Sequence, residues 1–199
     1  MRIVIVGAGQ VGRSLQEAFG ALGHEVVMAR RAPQAAGEVA LAGCAVGADA
    51  VVLAVPFRAV GDVVPQLGLM PGQLLMDATN PFGRAWPDGT SAAQWPSGGA
   101  LVASLANGAH VVKCFNTIGY EHMVDPVFAG RPALATVCGD DAAAKAVVIG
   151  WCEELGFDTV DIGGLDKAAL TENLGLLWGT IASTAPFGRD VAFGLLHRT

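Results

Sequence analysis

Arg2-Ile3-Val4-Ile5-Val6-Gly7-Ala8-Gly9-Gln10-Val11-Gly12 is the stretch that decides the fold. Ile3 to Val6 is apolar and β-branched, so Arg2–Val6 reads as a buried strand. Val11, Leu15, Ala18 and Leu22 recur at helical spacing and read as one face of a helix over Gln10–Leu22, which Gly23 ends. Between them stands a G-x-G-x-x-G, and in a chain with 27 glycines only this strand–turn–helix context gives it weight. Gly7 permits the tight turn, Gly9 lets a pyrophosphate approach the backbone, and Gly12 lets the helix sit against the strand. Ala8, Gln10 and Val11 complete a cradle whose N–H groups meet an anion at the positive end of the helix dipole. The stretch is read as the pyrophosphate site of a nicotinamide dinucleotide.

The second strand, Glu25–Met28, distinguishes the two nicotinamide cofactors. NAD-binding chains commonly place Asp or Glu roughly 20 residues on, to hold the ribose 2′-hydroxyl. Here the strand runs out into Met28-Ala29-Arg30-Arg31, and no acid follows until Glu38. A carboxylate repels a 2′-phosphate, whereas a guanidinium grips it through paired, charge-assisted hydrogen bonds. Arg30 and Arg31 are therefore expected to hold the phosphate, with Ala29 leaving room, and the expected cofactor is NADP(H) rather than NAD(H). The competing reading is two solvated arginines after a strand.

Further strands are expected at Ala50–Val55, Gln73–Ala78, His110–Phe115, Ala133–Val137 and Thr159–Ile162. Helices are expected from Pro56 to about Leu67, over Leu101–Ala106 and over Asp141–Leu155, the last capped by Asp140 or Asp141. From Leu165 to Leu196 the pattern is helical, interrupted near Pro186-Phe187-Gly188. Such alternation implies an α/β fold: a Rossmann, doubly wound, mostly parallel sheet with a short helical C-terminal segment. Residues 1–163 are expected to form the NADP-binding domain. Residues 164–199 are expected to pack on it or on a dimer partner, because Leu170, Leu174, Leu177, Trp178 and Ile181 make that helix apolar around much of its circumference. One long irregular segment, Pro81 to Gly99, carries Trp86 and Trp95 and reads either as a lid or binding loop or as cover for the sheet edge.

Hydrophobic residues make up 52% and charged ones 15%, which suits a sheet buried on both faces. The net charge of -6 argues against nucleic acid or an anionic membrane as partner. Glycines interrupt the apolar start too soon for a signal peptide, and no stretch reaches the roughly 20 apolar residues of a spanning helix. A soluble, cytoplasmic protein is expected. Cys44, Cys114, Cys138 and Cys152 show no metal-ligand spacing and read as small buried hydrophobes, so no metal is expected.

Ligands of open α/β sheets lie beyond the carboxyl ends of the strands. Val55-Pro56, Thr79-Asn80-Pro81 and Asn116-Thr117 stand at three such ends and are candidates for the nicotinamide half, although Asn-Pro and Asn-Thr also suit plain turns. Asp77 and Lys113 interrupt apolar strands and are read as a buried pair if those strands are neighbours, with a catalytic acid or base as the sharper alternative. No catalytic residue is assigned.

With these residues the chain resembles the NADPH-dependent reductases of coenzyme F420, a deazaflavin, together with related bacterial dinucleotide-binding proteins and the oxidoreductase domain of the STEAP metalloreductases. The matching pieces are Gly7–Gly12, Gly23-His24-Glu25-Val26-Val27 leading to Arg30-Arg31, Val55-Pro56 and Asp77-Ala78-Thr79-Asn80-Pro81. They continue through Val112-Lys113-Cys114-Phe115-Asn116-Thr117-Ile118-Gly119, Cys138-Gly139-Asp140-Asp141 and Glu172-Asn173. The resemblance implies an NADP-binding Rossmann domain, often dimeric, that passes hydride between NADPH and F420 or a flavin such as FMN or FAD. Two other readings stay open: a small carbonyl or imine reductase, and a redox sensor that binds NADP(H) without turnover.

Overall fold

The computed structural model describes residues 1–82 and 86–198. Among the described residues ten strands and five α-helices follow one another. The first half holds β1 (Arg2–Val6), α1 (Gln10–Ala21), β2 (Glu25–Arg30), β3 (Glu38–Ala40), β4 (Ala50–Leu53), α2 (Val60–Val63) and β5 (Leu74–Asp77). The second half holds α3 (Gly98–Leu105), β6 (His110–Lys113), β7 (Val127–Phe128), β8 (Arg131–Pro132), β9 (Leu134–Gly139), α4 (Ala142–Glu154), β10 (Asp158–Asp161) and α5 (Ala168–Thr184). Eight strands form one sheet in the order β10-β9-β6-β5-β4-β1-β2-β3, and β7 pairs with β8 in a separate hairpin. All neighbours in the sheet run parallel except β6 and β9. This is the expected Rossmann-like, doubly wound sheet, with the strand order reversing between β1 and β4.

The apolar strands are buried on both faces, and Ile3, Ile5 and Val52 belong to one core cluster while Val4, Val6 and Val51 belong to the other. That two-sided burial is why these strands read as continuous Val/Ile/Leu runs rather than alternating ones.

Several boundaries differ from expectation. β2 continues to Arg30 because Ala29 and Arg30 pair with Val39 and Ala40 of β3, a short edge strand with too little apolar pattern to announce itself. The segment from Pro56 to Leu67 is not one helix. It is a 3-10 turn at Phe57–Ala59, the short α2, and a second 3-10 turn at Val64–Gln66. Pro65 has no N–H to donate and crowds the carbonyl four residues back, so a regular helix cannot pass through it.

The largest correction concerns the C-terminus: α5 stops at Thr184, and residues 189–196 are not helical. Pro186 disfavours the helical region for Ala185, which takes φ -83 and ψ 152. The chain then turns back across the domain. Arg189 makes a paired contact with Glu121, at 2.6 and 3.1 Å, and its guanidinium lies about 5 Å from the rings of both Tyr120 and Trp178. Further along, Val191 accepts the Trp178 indole N–H at 2.7 Å and Phe193 accepts the Leu134 amide at 2.8 Å.

The buried face of α5 is Ala168, Thr171, Glu172, Gly175 and Trp178. Of the apolar residues expected to be covered, Trp178 is, but Leu170 and Leu177 are 62% and 49% exposed. The polar members of the inward stripe set that rotation. Lys113 is fully buried, and its ammonium donates to Asp77 Oδ2 at 2.8 Å and to the Thr79 carbonyl at 2.8 Å, with Glu172 Oε1 at 3.2 Å. Asp77 Oδ1 accepts the Thr79 amide and hydroxyl. Glu172 also accepts the amides of Gly98 and Gly99, the first turn of α3. The expected Asp77–Lys113 pair is thus present across β5 and β6, in register, with a third member from α5.

Burial alone would push the Lys113 ammonium toward neutrality, but Asp77 and Glu172 outweigh it and hold its pKa above the ordinary value. The stabilisation this gives is complete below the unfolded pKa and is lost as pH rises through the folded one, in the alkaline range. Lys113→Met leaves two buried carboxylates without their cation and is expected to cost about 3–5 kcal/mol. Urea unfolding measures this, and a cost below about 1 kcal/mol would show that the carboxylates reach water instead.

Candidate functional site

Gly7 ends β1 with φ 115, a conformation that side chains resist, and donates its amide to Ala29 at 3.0 Å. A Cβ there would strike the Ala54 carbonyl, and one on Gly12 would strike the Gly7 carbonyl. A Cβ on Gly9 would meet nothing within 4 Å, because it would point into the open cradle. The helix above presents Gly9 as its N-cap, with no side-chain cap and no acid in its first turn. Its first intrahelical bond is from Arg13 to Gly9, so the amides of Gln10, Val11 and Gly12 are left for another acceptor. The cradle therefore fits a pyrophosphate in shape and in polarity.

On the β2 side of the switch point lies a cavity of about 420 Å³, lined by Ala29, Arg30, Arg31, Val55, Pro56 and Arg58 among others. Arg30 is steadied by Glu38 at 3.5 Å, and Arg31 faces Asp62 at 3.6 Å. Glu38 is the first acid after β2. Its other oxygen accepts the amides of Gln34 and Ala35, and the Gln34 amide, with Ala35 and Arg30, keeps its carboxyl below the usual range. Glu38 thus orders the loop after β2 and orients Arg30, rather than occupying the end of β2 where a ribose-binding acid would stand. The Arg31–Asp62 contact is exposed on both sides and is weak enough to yield to a phosphate. Arg58 was not singled out from sequence. Its one signal is its position, two residues after Pro56 at the start of the turn that leaves β4.

Across the reversal in strand order lies a second cavity, of about 340 Å³, lined by Gly9, Gln10, Val11, Val55, Pro56 and Asn80, with Phe57, Thr79 and Tyr120. Asn80 and Asn116 hold each other: the Asn80 amide donates to the Asn116 carbonyl at 2.8 Å, and the Asn116 amide donates to Asn80 Oδ1 at 3.0 Å. Asn116 also donates to the Thr171 carbonyl and accepts from the Thr171 hydroxyl. Its side chain is spent inside the protein, where it fixes Asn80, and it does not line the cavity. Thr117 is buried beside it and lines neither cavity, and Pro81 lines a third one further out. Tyr120 was missed, although it is the chain's one tyrosine and closely follows Asn116-Thr117. The turn delivering these residues is strained: Phe115 has φ 60 while buried, and edge-on contacts with Phe19 and Phe157 hold it there.

Among the described residues no group of three or more His, Cys, Asp or Glu is placed to hold a metal, and no helix is long and apolar enough to cross a membrane. All four cysteines are free and buried, with Cys114 and Cys152 sulfurs 3.4 Å apart.

Residues 2–81 match the family described as NADP oxidoreductase coenzyme F420-dependent. A crystal structure from Arthrobacter sp. FB24, described as a candidate F420-dependent NADP-reductase, is similar at TM-score 0.85 and 28% identity, covering 99% of this chain and 100% of that one. A hypothetical protein from Sinorhizobium meliloti gives TM-score 0.72 and 28% identity over 100% of this chain and 96% of that one. A reductive aminase from Aspergillus terreus, solved with NADPH and ethyl levulinate, shares the fold at TM-score 0.63 and 18% identity. The match covers 94% of this chain but only 63% of that enzyme.

Replacing Arg30 and Arg31 together by Ala is expected to weaken NADPH binding about 100-fold while moving NADH binding less than about threefold, since only NADPH carries the phosphate they would grip. Arg58→Ala should act in the same direction. Equal losses for both cofactors in a binding titration would remove the phosphate assignment.

Proposed function

We propose that this chain is an NADP(H)-dependent oxidoreductase that passes hydride between NADPH and a deazaflavin of the coenzyme F420 type, or a flavin such as FMN or FAD. The observation that carries the reading is the cavity walled by Arg30, Arg31 and Arg58, placed beside the glycine cradle in a chain whose net charge is -6. A cationic patch on an acidic molecule points at a small anion, and the end of β2 is where a 2′-phosphate sits in this fold. The similarity of residues 2–81 to the F420-dependent NADP oxidoreductase family supports the same reading.

Bound NADP(H) supplies the hydride chemistry at its nicotinamide. The chain's own residues bind and orient. Gly7, Ala8, Gly9, Gln10, Val11 and Gly12 hold the pyrophosphate, Ala29, Arg30, Arg31 and Arg58 the phosphorylated ribose, and Val55, Pro56 and Asn80 the nicotinamide half. Asn116 and Thr117 support the last group from behind, and Pro81 leads on toward the acceptor. The balance is one hydride from NADPH and one proton from solvent, giving the two-electron-reduced acceptor and NADP⁺. No side chain need move a proton in the hydride step, so positioning and exclusion of water supply most of the effect. We place the protein in the cytoplasm, where four free thiols stay reduced.

The exposed side of α5, with Leu170, Leu176 and Leu177, suits a homodimer interface in this reading. Light scattering after size exclusion should give twice the chain mass, and a clean monomer at micromolar concentration would remove the dimer.

Steady-state assays with NADPH and NADH against F420, FMN and FAD test the reaction. Turnover with NADPH and one of these ring acceptors is expected. Oxidation only with small carbonyls or imines would favour the alternative reductase, and tight NADPH binding without consumption would favour the sensor.

A further inference from the structure

The turn after β6 and the end of the chain are stitched together at one edge of the cleft. Tyr120, Glu121 and His122 form a 3-10 turn that α1 holds from one side, where the Ser14 hydroxyl donates to the Tyr120 carbonyl at 2.6 Å. The returning C-terminal segment holds it from the other. Arg189 grips the Glu121 carboxylate through two contacts, the Asp190 carboxylate lies 3.2 Å from His122 Nε2, and Val191 accepts the Trp178 indole N–H. Three consecutive tail residues thus meet the turn and α5. Burial works against the Glu121 carboxylate, but Arg189 and local hydrogen bonds outweigh it and keep its pKa below the ordinary value, so the grip is ionic at neutral pH. Gly119 lets the turn close on α5: a Cβ there would lie 2.6 Å from Glu121 Oε2 and 3.0 Å from Trp178 Cζ2.

What this clasp holds is a ring. The Arg189 guanidinium lies over the Tyr120 ring, 5.1 Å from its centroid, and 5.0 Å from the ring of Trp178. Tyr120 is half-buried and lines the cavity of about 340 Å³ together with Gly9, Gln10 and Asn80. Phe57 lines it too, but is 3% exposed and packs edge-on against Trp86. Among the described lining residues, Tyr120 is therefore the aromatic ring with surface left to offer. It faces the same cavity as the open side of the glycine cradle.

We propose that Tyr120 packs its ring against the nicotinamide of NADP(H), and that Arg189 is a positioning residue that acts through Tyr120. The inference rests on the oxidoreductase reading and adds two residues to it. A dinucleotide with its pyrophosphate on the cradle and its 2′-phosphate at Arg30 and Arg31 has this cavity left for its nicotinamide. A flat heteroaromatic ring gains from an aromatic neighbour in offset or edge-on contact. Arg189 keeps the Tyr120 ring from swinging outward, because it covers that ring while Glu121 ties it to the same turn.

The test compares binding of NADPH with that of 2′-phospho-ADP-ribose, the same molecule without its nicotinamide. Tyr120→Leu, which keeps an apolar side chain against the core, should weaken NADPH about fivefold and leave 2′-phospho-ADP-ribose within about twofold. Tyr120→Phe restores the ring and should recover most of that loss. Arg189→Met, at a side chain 49% exposed, should repeat the pattern at about threefold without endangering the fold. Equal losses for the two ligands, or no loss of NADPH in either Tyr120→Leu or Arg189→Met, overturn the proposal, as does a Tyr120→Phe that recovers nothing. If the wild-type protein takes up neither ligand, the oxidoreductase reading itself fails and the nicotinamide contact falls with it.

Discussion

A lysine ammonium with no access to water, shared by two carboxylates, sets the arrangement of everything at the carboxyl edge of the sheet. Lys113 belongs to β6, Asp77 to β5 and Glu172 to α5, and Glu172 also takes the first two amides of α3. Four elements distant in sequence thus converge on one charge. Each carboxylate would be costly to bury alone, and the trio is tolerable only because every donor and acceptor in it has a partner. Such a knot need not add much net stability. It does specify which side of α5 faces inward, and so where the exposed leucines fall.

Steric exclusion and electrostatics divide the work at the other side of the switch point. Glycine is demanded at positions 7 and 12 because backbone carbonyls occupy the space a Cβ would need, and it is useful at position 9 because nothing does. The two demands are opposite in kind, close packing and open room, yet they produce the same letter in the sequence. Beside this uncharged cradle, three guanidiniums gather from the end of β2 and the turn after β4, with Glu38 steadying Arg30 and Asp62 facing Arg31.

What was legible in the sequence was what local pattern controls. The apolar strands, α1, a cap of α4 at Asp140 or Asp141 (Asp141 takes it, accepting the Ala144 amide) and the turn glycines all follow from spacing and backbone preference. The Asp77–Lys113 pair was legible because two charges inside apolar runs ask for one another. Glu172 was not, as a member of this cluster, since its partners lie 59 to 74 residues away in the chain and nothing local points to them. Arg58 and Tyr120 reach the cavities only through the path of turns that follow β4 and β6. The end of the chain misled for a different reason: its apolar letters suit a helix, but Pro186 blocks one and contacts with Glu121, Trp178 and Leu134 hold the segment against the domain.

That returning segment gives the molecule an unusual kind of adjustability. Arg189 is layered between Tyr120, at the rim of the cavity that Asn80 also lines, and Trp178, on α5. Substitution in this peripheral strip can therefore reshape the rim of the cleft while leaving the sheet, the glycine turn and the buried lysine untouched. Diversification of what enters the cleft becomes separable from the preservation of the scaffold beneath it.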